Sequence, residues 1–137
     1  MARIITFGTF DLLHVGHVRM LRRAAALGDY LCVGVSSDSL NFAKKGRGPV
    51  FSEEDRMEIV SSIKGVDEVF LEESLEQKLA YIEQYDADIL VMGDDWEGKF
   101  DFAASICEVR YLPRTEGIST TELLQVIPDA PDPADNA

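Results

Sequence analysis

Residues 8–17 read Gly-Thr-Phe-Asp-Leu-Leu-His-Val-Gly-His and decide the fold, because they join an apolar run to a helical pattern. The run before them, Ile4-Ile5-Thr6-Phe7, is typical of a short buried strand. After them, apolar residues recur at helical spacing from Val18 to a closing Leu27-Gly28. A strand that turns at a glycine into a helix leaves backbone N–H groups and the positive end of the helix dipole pointing at one spot. The stretch therefore predicts an anion site.

The two histidines of this stretch, His14 and His17, flank Gly16. One interpretation is that one of them caps the helix while the other is exposed. The pair favours a second interpretation, in which both donate protons to the bound anion. A histidine near its ordinary pKa of about 6.5 hydrogen-bonds a triphosphate oxygen in either protonation state, and more strongly when charged. Two histidines at this spacing can also ligate a metal, although no third ligand is evident.

Composition bounds the class of protein. The 137 residues suit one domain around a single core. A formal net charge of −12 argues against a nucleic-acid surface or an anionic membrane as partner, because the field would repel both. Cys32 and Cys107 lie in apolar, strand-like surroundings, which predicts buried free thiols rather than a disulfide or metal framework. No signal-peptide pattern and no apolar run of bilayer length is present, so we expect a cytoplasmic protein without membrane insertion.

Strand-like and helical segments alternate along the chain. This alternation predicts an α/β fold, a single Rossmann-like domain over residues 1–127 with a five-stranded parallel sheet and helices on both faces. The proline-rich, acidic residues 128–137 are predicted to be disordered. In such a sheet the ligand site lies at the carboxyl ends of the strands. The predicted strands cover residues 3–7, 29–36, 66–71, 88–92 and 107–112, and the predicted helices cover residues 18–27, 38–43, 53–63, 75–85, 102–106 and 120–127.

A basic segment follows the second predicted strand. Lys44-Lys45-Gly46-Arg47-Gly48-Pro49 is rich in glycine and has no apolar periodicity, which is typical of a mobile loop. Most such segments are solvated charged turns. In a chain this acidic, three cations in four residues favour a loop that grips phosphate.

Two later segments leave predicted strands at the same sheet edge as the histidines. Residues 93–101 contain Asp94 and Asp95, whose carboxylates can bind a metal, hydrogen-bond a ribose or merely form a turn. Arg114 follows the fifth strand and precedes Ser119-Thr120-Thr121, which can cap a last helix. Capping alone does not explain the arginine, whose guanidinium can face the site of the histidines.

The chemistry that these pieces allow is narrow. The chain has neither the glycine fingerprint of dinucleotide-binding units nor the Walker phosphate loop, and it has no serine elbow or zinc-type Cys/His spacing. What remains is a set of phosphate-facing donors: two helix starts, two histidines, one arginine and the basic segment. Such a set suits phosphoryl or nucleotidyl transfer, where positioning and charge stabilisation dominate.

Two segments resemble the signatures of the cytidylyltransferase family, the nucleotidyltransferases with an H-x-G-H motif. The first is Gly8-Thr9-Phe10-Asp11 with His14-Val15-Gly16-His17, and the second is Arg114-Thr115-Glu116-Gly117-Ile118-Ser119-Thr120-Thr121. The similarity includes residues 92–101 and covers nearly the whole chain up to Leu124. It implies transfer of CMP from CTP to sn-glycerol 3-phosphate by direct in-line attack, giving CDP-glycerol and pyrophosphate. It also implies Mg²⁺ bridging the triphosphate, and a homodimer.

The resemblance also implies which residues act. The catalytic residues are His14, His17, Lys44 and Arg114, while Lys44 and Lys78 hold the glycerol phosphate. The residues implied to bind the nucleotide are Thr9, Phe10, Asp11, His14, Val15, Gly16, His17, Lys45, Arg47, Lys64, Gly93, Asp95, Arg114, Thr115, Glu116, Gly117, Ile118, Ser119, Thr120 and Thr121. Asp38, Asp67 and Asp95 fall where the family keeps acidic residues near the site. No residue is assigned as a metal ligand.

Two departures from the family pattern concern specificity. The segment at residues 44–49 is one residue longer than usual, so either Lys45 or Arg47 contacts CTP. Lys64 stands where the family commonly has an arginine, which keeps the charge but loses the bidentate fork. Other acceptors or nucleotides therefore stay open: an FMN adenylyltransferase, or a cytidylyltransferase for phosphoethanolamine or another polyol phosphate. A regulatory module that binds nucleotides without turnover is disfavoured, since a binder needs fewer transition-state donors.

Overall fold

A computed structural model describes residues 2–113, except for the side chains of Lys44 and Lys45. The predicted last helix, the predicted tail over residues 128–137 and every site residue from Arg114 to Thr121 lie outside the described residues. Five strands and four α-helices alternate along the described part of the chain. In order they are β1 (Arg3–Gly8), α1 (Val15–Ala25), β2 (Tyr30–Ser36), α2 (Asp38–Lys45), α3 (Glu53–Ser61), β3 (Glu68–Glu72), α4 (Lys78–Gln84), β4 (Ile89–Gly93) and β5 (Glu108–Leu112), with short 3-10 helices at Asp94–Trp96 and Asp101–Ser105.

The strands form one parallel sheet in the order β3-β2-β1-β4-β5, which confirms the predicted fold class. The chain first steps outward from β1 through β2 and β3, and then returns to the other side of β1 for β4 and β5. The winding direction thus reverses beside β1. Ligands of such sheets bind at this reversal, outside the carboxyl ends of the strands. Residue 8, where β1 ends, is the first residue of the histidine stretch.

Helices cover both faces of the sheet because successive side chains of a strand point to opposite sides. Ile4 belongs to a buried cluster with Leu21 of α1 and Val60 of α3. Its neighbour Ile5 belongs to a second cluster that contains Ile82 of α4. Two cores therefore sandwich β1, and the near-continuous apolar runs of the sequence are explained by burial on both faces. None of the helices between residues 2 and 113 has the length and apolar character of a membrane span.

Aspartates fix the amino ends of the strands. Asp29, Asp67 and Asp88 each stand one residue before a strand, and each carboxylate accepts a hydrogen bond from a backbone N–H at the start of the neighbouring strand. Asp67, for example, accepts from Leu31 N at 2.8 Å. These N–H groups would otherwise be unpaired at the amino ends of the strands. Asp67 therefore lies at the amino ends, opposite to the carboxyl ends where the site is, which corrects the expectation that it lies near the site.

Two predicted boundaries are wrong in an informative way. Helix α1 begins at Val15, three residues before the predicted start, because His14 is its N-cap. Lys44 and Lys45, predicted to be part of a loop, form the last turn of α2. Gly46 is the C-cap of that helix, and its φ of 74° is the left-handed conformation that glycine adopts without strain. The predicted basic loop is therefore shorter than the sequence indicates, and its Gly48 and Pro49 are buried.

Candidate functional site

The turn between β1 and α1 is strained. Phe10 and Leu12 have φ angles of 56° and 49°, a backbone conformation that residues other than glycine rarely adopt. Phe10 is nevertheless buried, and its ring packs against the backbone of Gly8, where an added Cβ would come within 2.9 Å of the ring. The turn therefore needs a glycine at position 8. It folds the chain back so that α1 begins at the carboxyl end of β1.

The two histidines cap α1 reciprocally. His14 Nδ1 accepts a hydrogen bond from Gly16 N at 3.0 Å, and His17 Nδ1 accepts one from His14 N at 3.2 Å. Because both Nδ1 atoms accept, each neutral imidazole carries its proton on Nε2, and Nε2–H is the donor of each ring. The rings stack, with centroids 3.9 Å apart. One histidine does cap the helix, as the plainer interpretation held, but the second is half-buried and completes the cap.

Burial, together with the charge of His14, lowers the pKa of His17 to about 4. A protonated ring would also need a proton on Nδ1, which would break its bond to the backbone N–H. His17 is therefore neutral at physiological pH, which corrects the expectation that it titrates near 6.5. As a neutral Nε2–H donor it can still hydrogen-bond an anionic oxygen.

Asp11 ties the next loop to this turn. Its buried carboxylate accepts hydrogen bonds from Val50 N at 2.8 Å and from Phe51 N at 3.0 Å. Asp11, predicted to bind the nucleotide, thus holds residues 50 and 51 beside the histidine stretch in this structure. These two hydrogen bonds bring the end of the basic segment, residues 44–49, close to the turn that precedes α1.

Arg56 of α3 is a buried centre of hydrogen bonding that the sequence analysis missed. Its side chain is fully buried and donates to Thr9 O and Ser36 O, both at 2.8 Å, and to Phe51 O at 3.0 Å. It also pairs with the Asp38 carboxylate at 2.6 Å. One guanidinium therefore joins the carboxyl ends of β1 and β2 to the start of α2 and to the loop that Asp11 holds. The only sequence signal was its position four residues before Val60, on the buried face of the helix.

Thr9 is held from the side of α2. Its hydroxyl donates to Asn41 Oδ1 at 2.9 Å, and the Asn41 amide donates to Ser36 O and Ser37 O at the end of β2. Asn41 is buried, and it was not predicted because a polar residue within a short helix carries no periodic signal. Thr9, predicted to bind the nucleotide, therefore sits on a rigid support between β1 and β2.

A cavity of about 380 Å³ opens at the carboxyl ends of β1 to β4. It lies on the face of the sheet covered by α4, while the histidines come from α1 on the other face. Gly8 and Thr9 line the cavity and also begin the histidine stretch, so the two sites adjoin. The remaining lining residues are Phe7, Ser36, Glu72, Leu75, Lys78, Met92, Trp96, Lys99, Phe100 and Phe102.

Lys78, predicted to bind substrate, is one wall of this cavity. Its side chain is buried, and Nζ pairs with Glu72 Oε2 at 2.6 Å. The same ammonium lies 4.3 Å from the centroid of the Phe7 ring. Burial of a lysine requires such a partner, because an isolated charge is costly to remove from water. Glu72 is the last residue of β3; its position at the carboxyl end of a strand was the available signal for it.

The loop after β4 forms the outer wall of the cavity. Trp96, Lys99 and Phe100 line it, and the Lys99 ammonium lies 5.9 Å from the Trp96 ring. Tyr111 of β5 holds the loop, since its hydroxyl accepts from Phe100 N at 2.9 Å. Lys99 was not among the predicted site residues, although this loop was expected to reach the ligand.

The structure brings some predicted residues together and leaves others apart. His14 to His17, Thr9, Phe10, Asp11, Lys78 and the loop from Gly93 through Asp95 lie at the carboxyl edge of the sheet. Arg47 is exposed just after α2, and only the backbone of Lys44 and Lys45 is described. Lys64 is exposed beyond the end of α3, beside Gly65, whose added Cβ would lie 3.5 Å from Ala25 at the end of α1. Within one chain, Lys64 is therefore at the opposite edge from the histidines.

Comparison with known proteins gives consistent matches. A model of the cytidylyltransferase-like family matches residues 5–126. The glycerol-3-phosphate cytidylyltransferase of Bacillus subtilis (strain 168) is 53% identical over 127 residues, which cover 93% of this chain and 98% of that protein. The enzyme of the same name from Staphylococcus aureus is 50% identical over 125 residues, covering 91% and 94%. Among solved structures, the lipopolysaccharide core biosynthesis protein from Thermoplasma volcanium matches with a TM-score of 0.69 and 30% identity, over 84% of this chain and 97% of that one.

Proposed function

The chain belongs to the cytidylyltransferase-like family, and from this membership we propose that it transfers CMP from CTP to sn-glycerol 3-phosphate. The products are CDP-glycerol and pyrophosphate. The observation that carries the proposal is the meeting of two sites at one sheet edge. A helix start with two imidazole N–H donors suits a triphosphate, and the adjoining cavity with its buried Lys78 suits a small phosphorylated alcohol.

In this reaction an oxygen of the glycerol phosphate attacks the α-phosphorus of CTP in line. The new P–O bond forms while the bond to the α,β-bridging oxygen breaks, and that electron pair leaves with pyrophosphate. The acceptor is already an anion, so no residue needs to remove a proton. The protein's task is to position the two phosphates and to stabilise the charge that develops on the phosphoryl oxygens.

His14 and His17 suit the second task. The orientation of their Nε2–H groups is fixed by the helix cap, so no reorganisation is needed as charge develops. We propose that Lys44 and Lys78 bind the acceptor phosphate. We also propose that Arg114 and the segment through Thr121 bind the triphosphate, with a further contact from Lys45 or Arg47.

A magnesium ion is proposed to accompany CTP. Among residues 2–113 no three His, Cys, Asp or Glu side chains are grouped so as to hold a metal. Magnesium commonly keeps several waters and binds through substrate phosphates, so an ion that arrives with CTP would need no such group of side chains. It would supply neutralisation of negative charge on the leaving group. Chelation is expected to stop turnover, and excess magnesium to restore it.

The assay for the proposal is pyrophosphate release from purified protein with CTP, sn-glycerol 3-phosphate and magnesium. CTP and ATP are each paired with glycerol 3-phosphate, phosphoethanolamine and FMN. Fastest turnover is expected with CTP and glycerol 3-phosphate. Faster turnover of FMN with ATP would overturn the choice of substrates but not the type of reaction. Tight CTP binding without pyrophosphate release in the presence of any acceptor would overturn the proposal that the protein catalyses this transfer.

We further propose a homodimer in the cytoplasm. Strands β3 and β5 are the edges of the sheet, and a sheet edge needs cover against unwanted pairing. Both cysteines, Cys32 and Cys107, are free thiols, which suits a reducing compartment. Light scattering of the purified protein, with a mass near twice 15.2 kDa expected, tests the dimer.

A further inference from the structure

Glu72 is a buried carboxylate that the transfer chemistry leaves unexplained. It is the last residue of β3, it lines the cavity, and its relative exposure is 1%. Removing a carboxylate from water is costly, and a buried carboxylate needs partners for its oxygens. Its hydrogen bonds therefore indicate what else the cavity can accommodate.

The protein supplies only part of what this carboxylate can accept. Oε2 pairs with Lys78 Nζ at 2.6 Å, while Oε1 accepts a long hydrogen bond of 3.4 Å from the Ser36 hydroxyl. The same hydroxyl also lies 3.3 Å from Gly8 O, so its proton is shared between two acceptors. An ionised carboxylate offers about four acceptor positions. Oxygen Oε1 can thus take a stronger donor from a molecule in the cavity.

The charges that line the cavity determine what kind of molecule can donate this hydrogen bond to Glu72. Its charged lining residues are Glu72, Lys78 and Lys99, whose formal charges sum to +1. Because Lys78 already neutralises Glu72, the site gains little from a cationic ligand and suits an anion. Rings such as Phe7 and Phe100 line the same cavity and suit C–H groups. A small anion with a carbon backbone and neutral hydroxyl donors fits all three observations.

We propose that Glu72 is a specificity-determining residue, which accepts a hydrogen bond from a free hydroxyl of the acceptor alcohol. The inference rests on the proposed function and extends it from the phosphate to the rest of the acceptor. Lys78 binds the phosphate of every acceptor alike, whereas Glu72 distinguishes acceptors by their hydroxyls. Loss of Glu72 should therefore change the preference among acceptors, and not only the rate.

The experiment measures kcat/KM for pyrophosphate release with four acceptors. These are sn-glycerol 3-phosphate, two analogues that each lack one hydroxyl (3-hydroxypropyl phosphate and 2-hydroxypropyl phosphate), and propyl phosphate, which lacks both. The wild type is expected to prefer glycerol 3-phosphate over propyl phosphate by about 10- to 100-fold, the range of one hydrogen bond to a charged group. In Glu72→Gln the preference should fall to a few-fold, with most of the loss on glycerol 3-phosphate.

Two further variants separate the role from a structural one. The double variant Glu72→Met with Lys78→Met replaces the buried pair by apolar side chains of similar volume, a change that folds tolerate well. Its preference should also collapse, because the ratio between two phosphorylated acceptors cancels any loss of phosphate affinity. Lys99→Met, on an exposed lysine of the same cavity, should lower kcat/KM for all acceptors equally and keep the ratio.

An unchanged ratio in both Glu72 variants, with activity falling in parallel on all acceptors, would overturn the inference while leaving the proposed function intact. A wild type that does not distinguish glycerol 3-phosphate from propyl phosphate would overturn it as well. A wild type that transfers CMP to none of the four acceptors would overturn the proposed function, and the inference with it.

Discussion

The double role of His17 gives the sharpest prediction. Its Nδ1 accepts from His14 N at 3.2 Å and so stabilises the first turn of α1, while its Nε2–H is the donor proposed to stabilise developing charge. Substitution by alanine removes both roles, whereas substitution by asparagine removes one. The Oδ1 atom of asparagine lies as many bonds from Cβ as Nδ1 of histidine does, so it can accept from His14 N. Asparagine has no atom at the position of Nε2.

The magnitudes follow from these two bonds. Loss of a side-chain cap costs about 1 kcal/mol, which is about 3 °C in Tm for a chain of this size. Loss of one preorganised donor to a developing oxyanion costs about 100- to 1000-fold in kcat. His17→Ala should therefore lose both stability and activity. His17→Asn should keep the Tm of the wild type within about 1 °C and lose as much activity as the alanine variant.

The assay combines thermal unfolding followed by circular dichroism with pyrophosphate release at saturating CTP. The same pair of measurements on the wild type and on both variants separates the cap from the donor. An asparagine variant with near wild-type kcat would refute the donor role, because it would show that only the cap matters. An alanine variant with unchanged kcat would refute both the donor role and the proposed mechanism.

Three further predictions concern stability and the shape of the site. Burial lowers the pKa of His17 to about 4 from its ordinary 6.5, so protonation of this histidine favours the unfolded state. The contribution of neutral His17 to the free energy of unfolding is therefore fully present above pH 6.5 and is lost as the pH falls towards 4. Urea unfolding at pH 7.5 and pH 5 should show a larger loss of stability for the wild type than for His17→Asn. Arg56→Lys keeps the charge but cannot reproduce all four hydrogen bonds of the guanidinium. It should lower the free energy of unfolding by about 3 kcal/mol in urea titrations. A change below about 0.5 kcal/mol, the usual size for a surface residue, would contradict the role of Arg56 as a buried centre of hydrogen bonding. Gly8→Ala places a Cβ 2.9 Å from the Phe10 ring. This clash should lower the free energy of unfolding by about 1–3 kcal/mol and should also lower kcat. A crystal structure of the variant in which Phe10 has not moved would contradict the steric explanation.

Much of the fold was predictable because the strands are buried on both faces. Runs such as Ile4-Ile5-Thr6-Phe7 are apolar at successive positions, and that pattern is specific when helical segments alternate with it. The parallel sheet, and the place of the histidine stretch at a strand's carboxyl end, followed from this alternation. Boundaries were less predictable. The start of α1 depends on a histidine cap, which is rarer than a serine or aspartate cap and so gives a weaker signal.

The site was predictable only where residues are consecutive. His14 and His17 lie on one turn of a helix, so their proximity is fixed locally. Arg56, Glu72 and Asn41 come from three separate elements, and their positions in the sequence give at most a weak signal of function. Each is polar and buried only because the sheet brings their elements together, and a residue's burial depends on neighbours distant in the sequence.

The sequence by itself determined a strand that turns into a helix start with two histidines, where an anion is predicted to bind. Only the tertiary structure decided the protonation state of His17. Packing half-buries its ring, which lowers its pKa and leaves it a neutral donor. Tertiary structure also decided which charges meet in the cavity, since Glu72 at the end of β3 and Lys78 at the start of α4 form a buried pair there. Covalent neighbours fix local geometry, but dielectric surroundings and charge pairing arise from packing between distant segments.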